Sequence, residues 1–280
     1  MKVFNTTGLC NPAKHYMVDI SERINDIKKM VDAGYYFTIN RARQYGKTTT
    51  LTIIEKRLKS DYIVISLDFQ RIGNASFATE GHFTRALAFQ FMDAIEFDAI
   101  PIPKQYMEEL EEISKKDVSA ITLDEIFRIL KHWCAKSELP IVLMIDEVDT
   151  ATNNQVFLDF LALLRENYLS REAKAAPAFQ SVILAGVTDV KNLKRKIRPD
   201  ENHKTNSPWN IAMPFNIDMS LSAQGIKGML EEYATDHQLD VDTDRVSGEI
   251  AAYTGGYPFL VSRICQILDK ELVGEVGRVR

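Results

Sequence analysis

The chain has 280 residues, 45% of them hydrophobic and 26% charged. At about 100–200 residues per domain, that is one large domain or a core with a small lid, and it excludes disorder, collagen or a charged tail as a description of the whole. Lys and Arg number 34 against 39 Asp and Glu, a net charge of −5, so only a local patch could draw the chain to nucleic acid or anionic lipid.

The first expected element is a helix over 19–34. Ile20, Ile24, Ile27 and Met30/Val31 share one face, Asp19 and Glu22 form a capping box, and Gly34 is the stop. The aromatic and β-branched run 35–40 predicts a buried strand. A helix over 47–60 follows, with Leu51, Ile54 and Leu58 in helical spacing, then a strand over 62–68. Helical patterns cover 80–97, 104–115 and 123–136, the last opened by Thr122 and Glu125 as a capping box. The most apolar strand, 141–145, precedes a helix over 153–168, and strands are expected at 181–187 and 215–219. Short apolar strands between helices argue for a parallel sheet covered on both faces. Helices at 222–236, 243–253 and 259–272 then suggest a small lid, with a boundary near 220 that no Pro/Gly/Ser-rich linker marks.

Cys10, Cys134 and Cys265 lie far apart with no C-x-x-C pair, which argues against a disulfide framework or a zinc site and for reduced cytosolic thiols. Residues 1–16 lack the apolar core of a signal peptide, and no apolar run approaches the roughly 20 residues that span a bilayer. A cytoplasmic protein without membrane contact is expected, and the sequons at Asn5 and Asn74 are then chance matches.

The strongest local signal is Asn40-Arg-Ala-Arg-Gln-Tyr-Gly-Lys-Thr-Thr-Thr-Leu51, between a strand and a helix. Backbone N–H groups at a helix start point at an anion, so a phosphate loop belongs there. Gly46 lets the backbone approach the phosphates, Lys47 reaches the β- and γ-phosphates, and the Thr48 hydroxyl suits Mg²⁺. The pattern G-x-x-x-x-G-K-[ST] puts its first glycine at Arg41, a departure in the loop's opening turn. The competing reading is a glycine turn before a basic helix start, which leaves a lysine opposing the helix dipole unexplained.

The second signal is Pro140-Ile-Val-Leu-Met-Ile-Asp-Glu-Val-Asp149. An apolar strand ending in Asp146-Glu147 has the Walker-B form. Asp146 would hold Mg²⁺ through water, and Glu147 would act as general base on the attacking water. The competing reading is a strand that meets an acidic turn, and it weakens when both motifs occur in this order. The third signal, Thr254-Gly-Gly-Tyr-Pro-Phe259, is physically a helix stop followed by a proline-initiated helix. The fourth is Thr188 and Asp189 after the 181–187 strand. Thr188 is a candidate sensor of the γ-phosphate, and a helix cap explains either residue equally well.

With these four segments the chain resembles the AAA-like ATP-binding proteins of bacteria, which relate to the STAND class of signalling ATPases and to archaeal-type ATPases of the additional-strand type. That group has an N-x-R-Q-x-G-K-[ST]-[ST] loop without the first glycine. Arg43, Gln44, Gly46, Lys47, Thr48 and Thr49 fit it, with Tyr45 at its variable position and Asn40 one residue further upstream than the pattern's Asn. Asp146 and Glu147 match the acidic pair, and Gly256-Tyr257-Pro258 matches the G-x-P element whose proline lies by the adenine. Tyr16 and Met17, in His15-Tyr-Met-Val-Asp19, sit where such proteins close over the base. The resemblance runs from about residue 12 to 270. It implies a P-loop NTPase three-layer α/β sandwich with a five-stranded parallel sheet over 1–220, then a helical or winged-helix lid over 221–280. No arginine finger is identifiable, with Arg165, Arg171, Arg195 and Arg198 as candidates. Relatives continue past the lid, whereas this chain stops at Gly277-Arg-Val-Arg280, so a fragment or a short member is implied.

Lys191, Lys194, Arg195, Lys196 and Arg198 form a basic cluster that reads first as a solvated helix face and second as a contact for nucleic acid. Asp240-Val-Asp-Thr-Asp244 fails as a calcium loop because Arg245 stands at the glycine and Ala251 at the closing glutamate; Asp242 or Thr243 is a helix cap. His15 and His203 lack metal-ligand spacing, and the loop Asn206–Asn210 reads as packing around Trp209. The expectation is a cytoplasmic Mg²⁺–ATP-dependent hydrolase acting as a conformational switch, with ATP and ADP as ligands and a protein partner or a second copy as its contact. The alternatives are a non-hydrolysing ATP/ADP-binding signalling module and an ATPase acting on nucleic acid through 191–198. A P-loop kinase is disfavoured, because the Asp-Glu pair stands where a second substrate needs room.

Overall fold

A computed structural model describes residues 1–187, 190 and 208–276. Strands β1 (Tyr36–Asn40), β2 (Ile63–Asp68), β3 (Ile141–Asp146) and β4 (Ser181–Gly186) form a parallel sheet in the order β1-β4-β3-β2. The described helices of the 1–220 region are α1 (Ser21–Asp32), α2 (Lys47–Leu58), α3 (Glu80–Phe97), α4 (Lys104–Lys115), α5 (Leu123–Lys136) and α6 (Gln155–Lys174). Beyond it lie α7 (Ala223–His237), α8 (Thr243–Thr254) and α9 (Pro258–Val276). Among the described residues beyond 220, helices are the only regular elements.

The contacts divide the chain into two compact units. One comprises Ile27–Arg41 and Ile53–Asn216 and holds the sheet. All of β4 and the five apolar residues of β3 are buried, as near-continuous apolar strands covered on two faces must be. Phe69 meets Phe83 and Phe157 edge-on, each at 6.0 Å between ring centres, an arrangement that suits the ring quadrupoles. Trp209 is fully buried and its Nε1–H donates to Thr38 Oγ1 at 2.8 Å, so this ring packs into the core.

The other unit comprises Met1–Asp26, Ala42–Thr52 and the chain from Ile217 onward. Its core joins Phe4, Tyr16 and Val18 to Ile226, Tyr233 and Val261 of α7 and α9. Phe4 lies 5.0 Å from both Tyr16 and Tyr233, so residues near the amino terminus supply part of the three-helix core.

Three local expectations change. No strand forms at 215–219. Met213 makes a single parallel bridge to Phe37, with its N–H on the Tyr36 carbonyl at 2.8 Å, and Phe215 stacks on Phe37 at 5.9 Å. Pro214 has a fixed φ and no N–H, so the run offers side-chain packing rather than a ladder, and the described sheet has four strands where five were expected. Thr122 caps α5 without its side chain: its carbonyl accepts the Glu125 N–H at 3.2 Å, while Glu80 Oε1 takes the Leu123 N–H at 2.8 Å and the Glu125 carboxylate pairs with Lys116. Asp19 opens α1 by accepting from the N–H and Oγ of Ser21.

Candidate functional site

All four strands run the same way, so their carboxyl ends share one edge. Asn40 is in register with Gly186, and Asp68 with Asp146. The residue after Asp146 leaves the strand sharply: Glu147 is left-handed at φ 53°, ψ 40°, and its N–H donates to Asp146 Oδ1 at 2.8 Å. A non-glycine residue in that region costs of order 1–3 kcal/mol, and such strain gathers at functional sites. The 3-10 turn Val148–Ala151 follows. Asp149 Oδ2 accepts the Val187 N–H at 2.6 Å, tying the acidic turn to the end of β4. Gly186 is required by that approach, since a Cβ there would stand 2.9 Å from both Asp149 Oδ2 and Val148 Cγ2. The chain leaves β1 at the same edge, with the Arg41 N–H on the Gly186 carbonyl at 3.1 Å.

The loop into α2 turns left-handed twice, at Gln44 (φ 59°) and Gly46 (φ 76°). A Cβ on Gly46 would meet nothing within 4 Å, so glycine is demanded by the backbone angle and the space above it is open. Lys47 opens α2, is 6% exposed, and its Nζ donates to the Ala42 carbonyl at 3.1 Å. Thr48 is exposed, and Thr49 is buried with its Oγ1 accepting the Cys10 N–H at 3.2 Å. Arg43 and Gln44 are exposed.

Tyr16, Met17, Tyr45, Gly46, Thr49 and Pro258 line one open pocket of about 500 Å³, counted with the solvent at its mouth. Three stretches distant in sequence thus meet around one space. The Tyr16 hydroxyl donates to Asp236 Oδ2 at 2.9 Å, and burial together with that carboxylate raises its pKa, so it stays protonated. Thr50 and Arg23 are among the members of the wall that sequence reasoning missed. Thr50 is 1% exposed and its Oγ1 has no hydrogen-bond partner among the described residues. Arg23 straps the segment before α7 through the Asp218 carbonyl at 3.1 Å and the Ser220 carbonyl at 3.0 Å. Thr50 falls one position past the loop pattern that ends at Thr49, and the partners of Arg23 lie far away in the chain.

Arg171 is a structural hub. Its guanidinium donates to the carbonyls of Phe179, Gln180 and Gly34 at 2.5–2.7 Å and lies 5.0 Å from the Tyr168 ring. Arg165 donates to Asn210 Oδ1 at 2.9 Å. Thr188, Asp189 and the basic positions 191–198 lie outside the described residues. His15 Nδ1 accepts the Asn11 N–H at 2.9 Å in a local turn. Burial pushes the Cys134 and Cys265 thiols up to about 12. Among the described residues no three His, Cys, Asp or Glu side chains cluster as metal ligands, and no helix is long and apolar enough to cross a membrane.

The fold is similar to that of a Walker-type ATPase of Pyrococcus abyssi, with a TM-score of 0.57 and 15% identity over 99% of this chain and 79% of that one. It is also similar to the Aeropyrum pernix ORC2 protein in its ADPNP–ADP complexes, with a TM-score of 0.50 and 12% identity over 98% and 67%. At those identities the likeness is one of fold. In sequence the chain is 24% identical over 270 residues to an uncharacterised WD repeat-containing protein of Synechocystis sp., an alignment that takes in 93% of this chain. The chain spans about a fifth of the length of that curated relative, 20%. Residues 13–273 match the model of the AAA-like domain, and the chain belongs to that family of P-loop proteins.

Proposed function

We propose that the chain binds Mg²⁺–ATP through residues 43–49 and hydrolyses it with Glu147 as general base, its nucleotide state being read by α7–α9. The observation that carries this reading is the strand–loop–helix: β1 ends, the backbone turns left-handed at Gln44 and Gly46, and buried Lys47 opens α2. A helix start that carries a lysine after a left-handed glycine suits a phosphate. The Asp146–Glu147 pair at the carboxyl end of a parallel strand, with Glu147 held at positive φ, is the second support. The pocket walled by Tyr16, Met17 and Pro258 has the apolar lining that suits a base.

The roles follow from the groups. Lys47 Nζ would exchange the Ala42 carbonyl for phosphate oxygens. The Thr48 hydroxyl and the Asp146 carboxylate are hard oxygen donors that fit Mg²⁺, which takes one or two protein oxygens and completes its shell with phosphate and water. When bound, that ion neutralises charge on the phosphates. The Glu147 carboxylate takes the proton of the attacking water. A switch reading follows because loss of the γ-phosphate removes contacts that hold a lid closed.

The test is phosphate release beside ATP binding for wild type, Lys47→Ala and Glu147→Gln. Turnover by wild type, lost binding in Lys47→Ala, and binding without turnover in Glu147→Gln establish all three roles. Binding without phosphate release by wild type replaces hydrolysis with a nucleotide-dependent signalling module. Failure of wild type to bind ATP or ADP overturns the reading.

A further inference from the structure

The opening glycine of the common phosphate loop is absent here, with Arg41 in its place, so something else must hold the loop's path. Within the unit that contains the loop, the answer lies in the turn between α8 and α9. α8 ends at Thr254, Gly255 caps it at φ 59°, and Gly256 follows at φ 72°. Gly256 is pressed against the chain before α7: a Cβ there would stand 2.4 Å from the Leu221 carbonyl oxygen, and the Gly256 carbonyl accepts the Leu221 N–H at 2.8 Å. The Thr254 hydroxyl accepts the Gly256 N–H at 3.1 Å. This turn fixes where Tyr257 begins. From there the Tyr257 hydroxyl donates to the Arg43 carbonyl at 2.6 Å, and its ring lies 5.0 Å from that of Tyr45, two residues further along the loop.

A trans peptide is planar, so its C=O and N–H point in opposite directions. Anchoring the Arg43 carbonyl on Tyr257 therefore aims the Gln44 N–H away from Tyr257, and Gln44 is the non-glycine residue held at φ 59°. We propose that Tyr257 is a positioning residue for the phosphate loop: its hydroxyl on the Arg43 carbonyl holds the 43–44 peptide in the phosphate-binding orientation and so makes nucleotide affinity depend on the α8–α9 turn. The proposal deepens the nucleotide-binding reading and rests on it. It assigns to one hydroxyl the coupling that a switch requires, a differential contact between lid and loop.

The test is Tyr257→Phe, which removes the hydroxyl and keeps the ring on Tyr45. The control is Tyr253→Phe, which removes a hydroxyl from a residue 83% exposed near the end of α8, just before the turn. Two measurements are made on the full chain: ADP titration by calorimetry, and amide hydrogen exchange at residues 43–46 without nucleotide. Tyr257→Phe should weaken ADP about 3- to 10-fold, the worth of one hydrogen bond, and speed exchange at 43–46, with Tyr253→Phe like wild type in both. Wild-type affinity in Tyr257→Phe overturns the proposal while leaving nucleotide binding intact, and so does a lowered melting midpoint with unchanged affinity. If wild type binds no ADP, the nucleotide reading fails first, and unchanged exchange at 43–46 then rejects the positioning role as well.

Discussion

Gly46 and Gly256 share a left-handed backbone and differ in what surrounds them. Around Gly46 there is open space, whereas at Gly256 a side chain would run into the Leu221 backbone. Replacing each with alanine separates strain from collision. Gly46→Ala carries the left-handed penalty of about 1–2 kcal/mol, and its main effect should be lost nucleotide affinity, since the methyl would occupy the phosphate approach. Gly256→Ala carries the same penalty plus a backbone clash that only displacement of the turn relieves, so its unfolding free energy should fall by more than that of Gly46→Ala, beyond about 2 kcal/mol. Urea unfolding of both variants without nucleotide checks the order. Equal losses would show that the turn before Tyr257 is not held by Leu221.

At the scale of elements, periodicity located every described strand and helix to within a few residues apart from the rear of α6, because burial of a helix stripe or an apolar strand leaves its mark on consecutive residues. What it could not locate were contacts between elements. Arg171, a finger candidate by composition alone, instead binds three carbonyls that close the ends of β1 and β4. Hydrogen bonds to a charged group are worth about 1.5–3 kcal/mol, so Arg171→Ala should lower stability by at least that much, and Arg171→Lys should recover little because an ammonium cannot reproduce the planar fork. Full stability in Arg171→Ala would return it to the finger candidates. The start of α1 gives a second test. The N–H and hydroxyl of Ser21 hold the Asp19 carboxyl below its ordinary range. A depressed folded pKa contributes stability that is present above the unfolded value and lost as pH falls through the folded one. Asp19→Asn should therefore lower stability at pH 7, where that contribution is present, and flatten the acid limb below about pH 4, where wild type loses it as well. The site divides the same way. Lys47, Asp146 and Glu147 were legible from motifs that sit on consecutive residues. Left-handed Gln44 and Glu147, the burial of the Thr50 hydroxyl and the Tyr257 bond were not, since each depends on angles, packing or a distant partner that no local pattern encodes.

For the whole molecule the interleaving of the chain decides what can fold alone. The chain passes between its two compact units four times, after residues 26, 41, 52 and 216. A lid cut at 221 would keep α7–α9 and lose Phe4, Tyr16 and Val18, which are 3%, 3% and 9% exposed in the same core. It would also lose the aromatic contacts of Phe4 and Tyr16 with Tyr233. Burying such side chains is worth about 1.5–3 kcal/mol each, and a piece of about 60 residues has little stability to spare. Residues 221–280 made alone should therefore show no cooperative thermal transition and dispersed methyl signals should be missing from their NMR spectrum. The converse experiment keeps the sheet and removes the amino-terminal contribution: Phe4→Ala in the full chain should destabilise by about 3–5 kcal/mol if the core is as packed as its burial indicates. The loss should appear as early amide exchange in α7 and α9, ahead of β3 and β4. A cooperative, stable 221–280 fragment would instead mean that the three helices are a self-sufficient domain and that the first eighteen residues only lie against it.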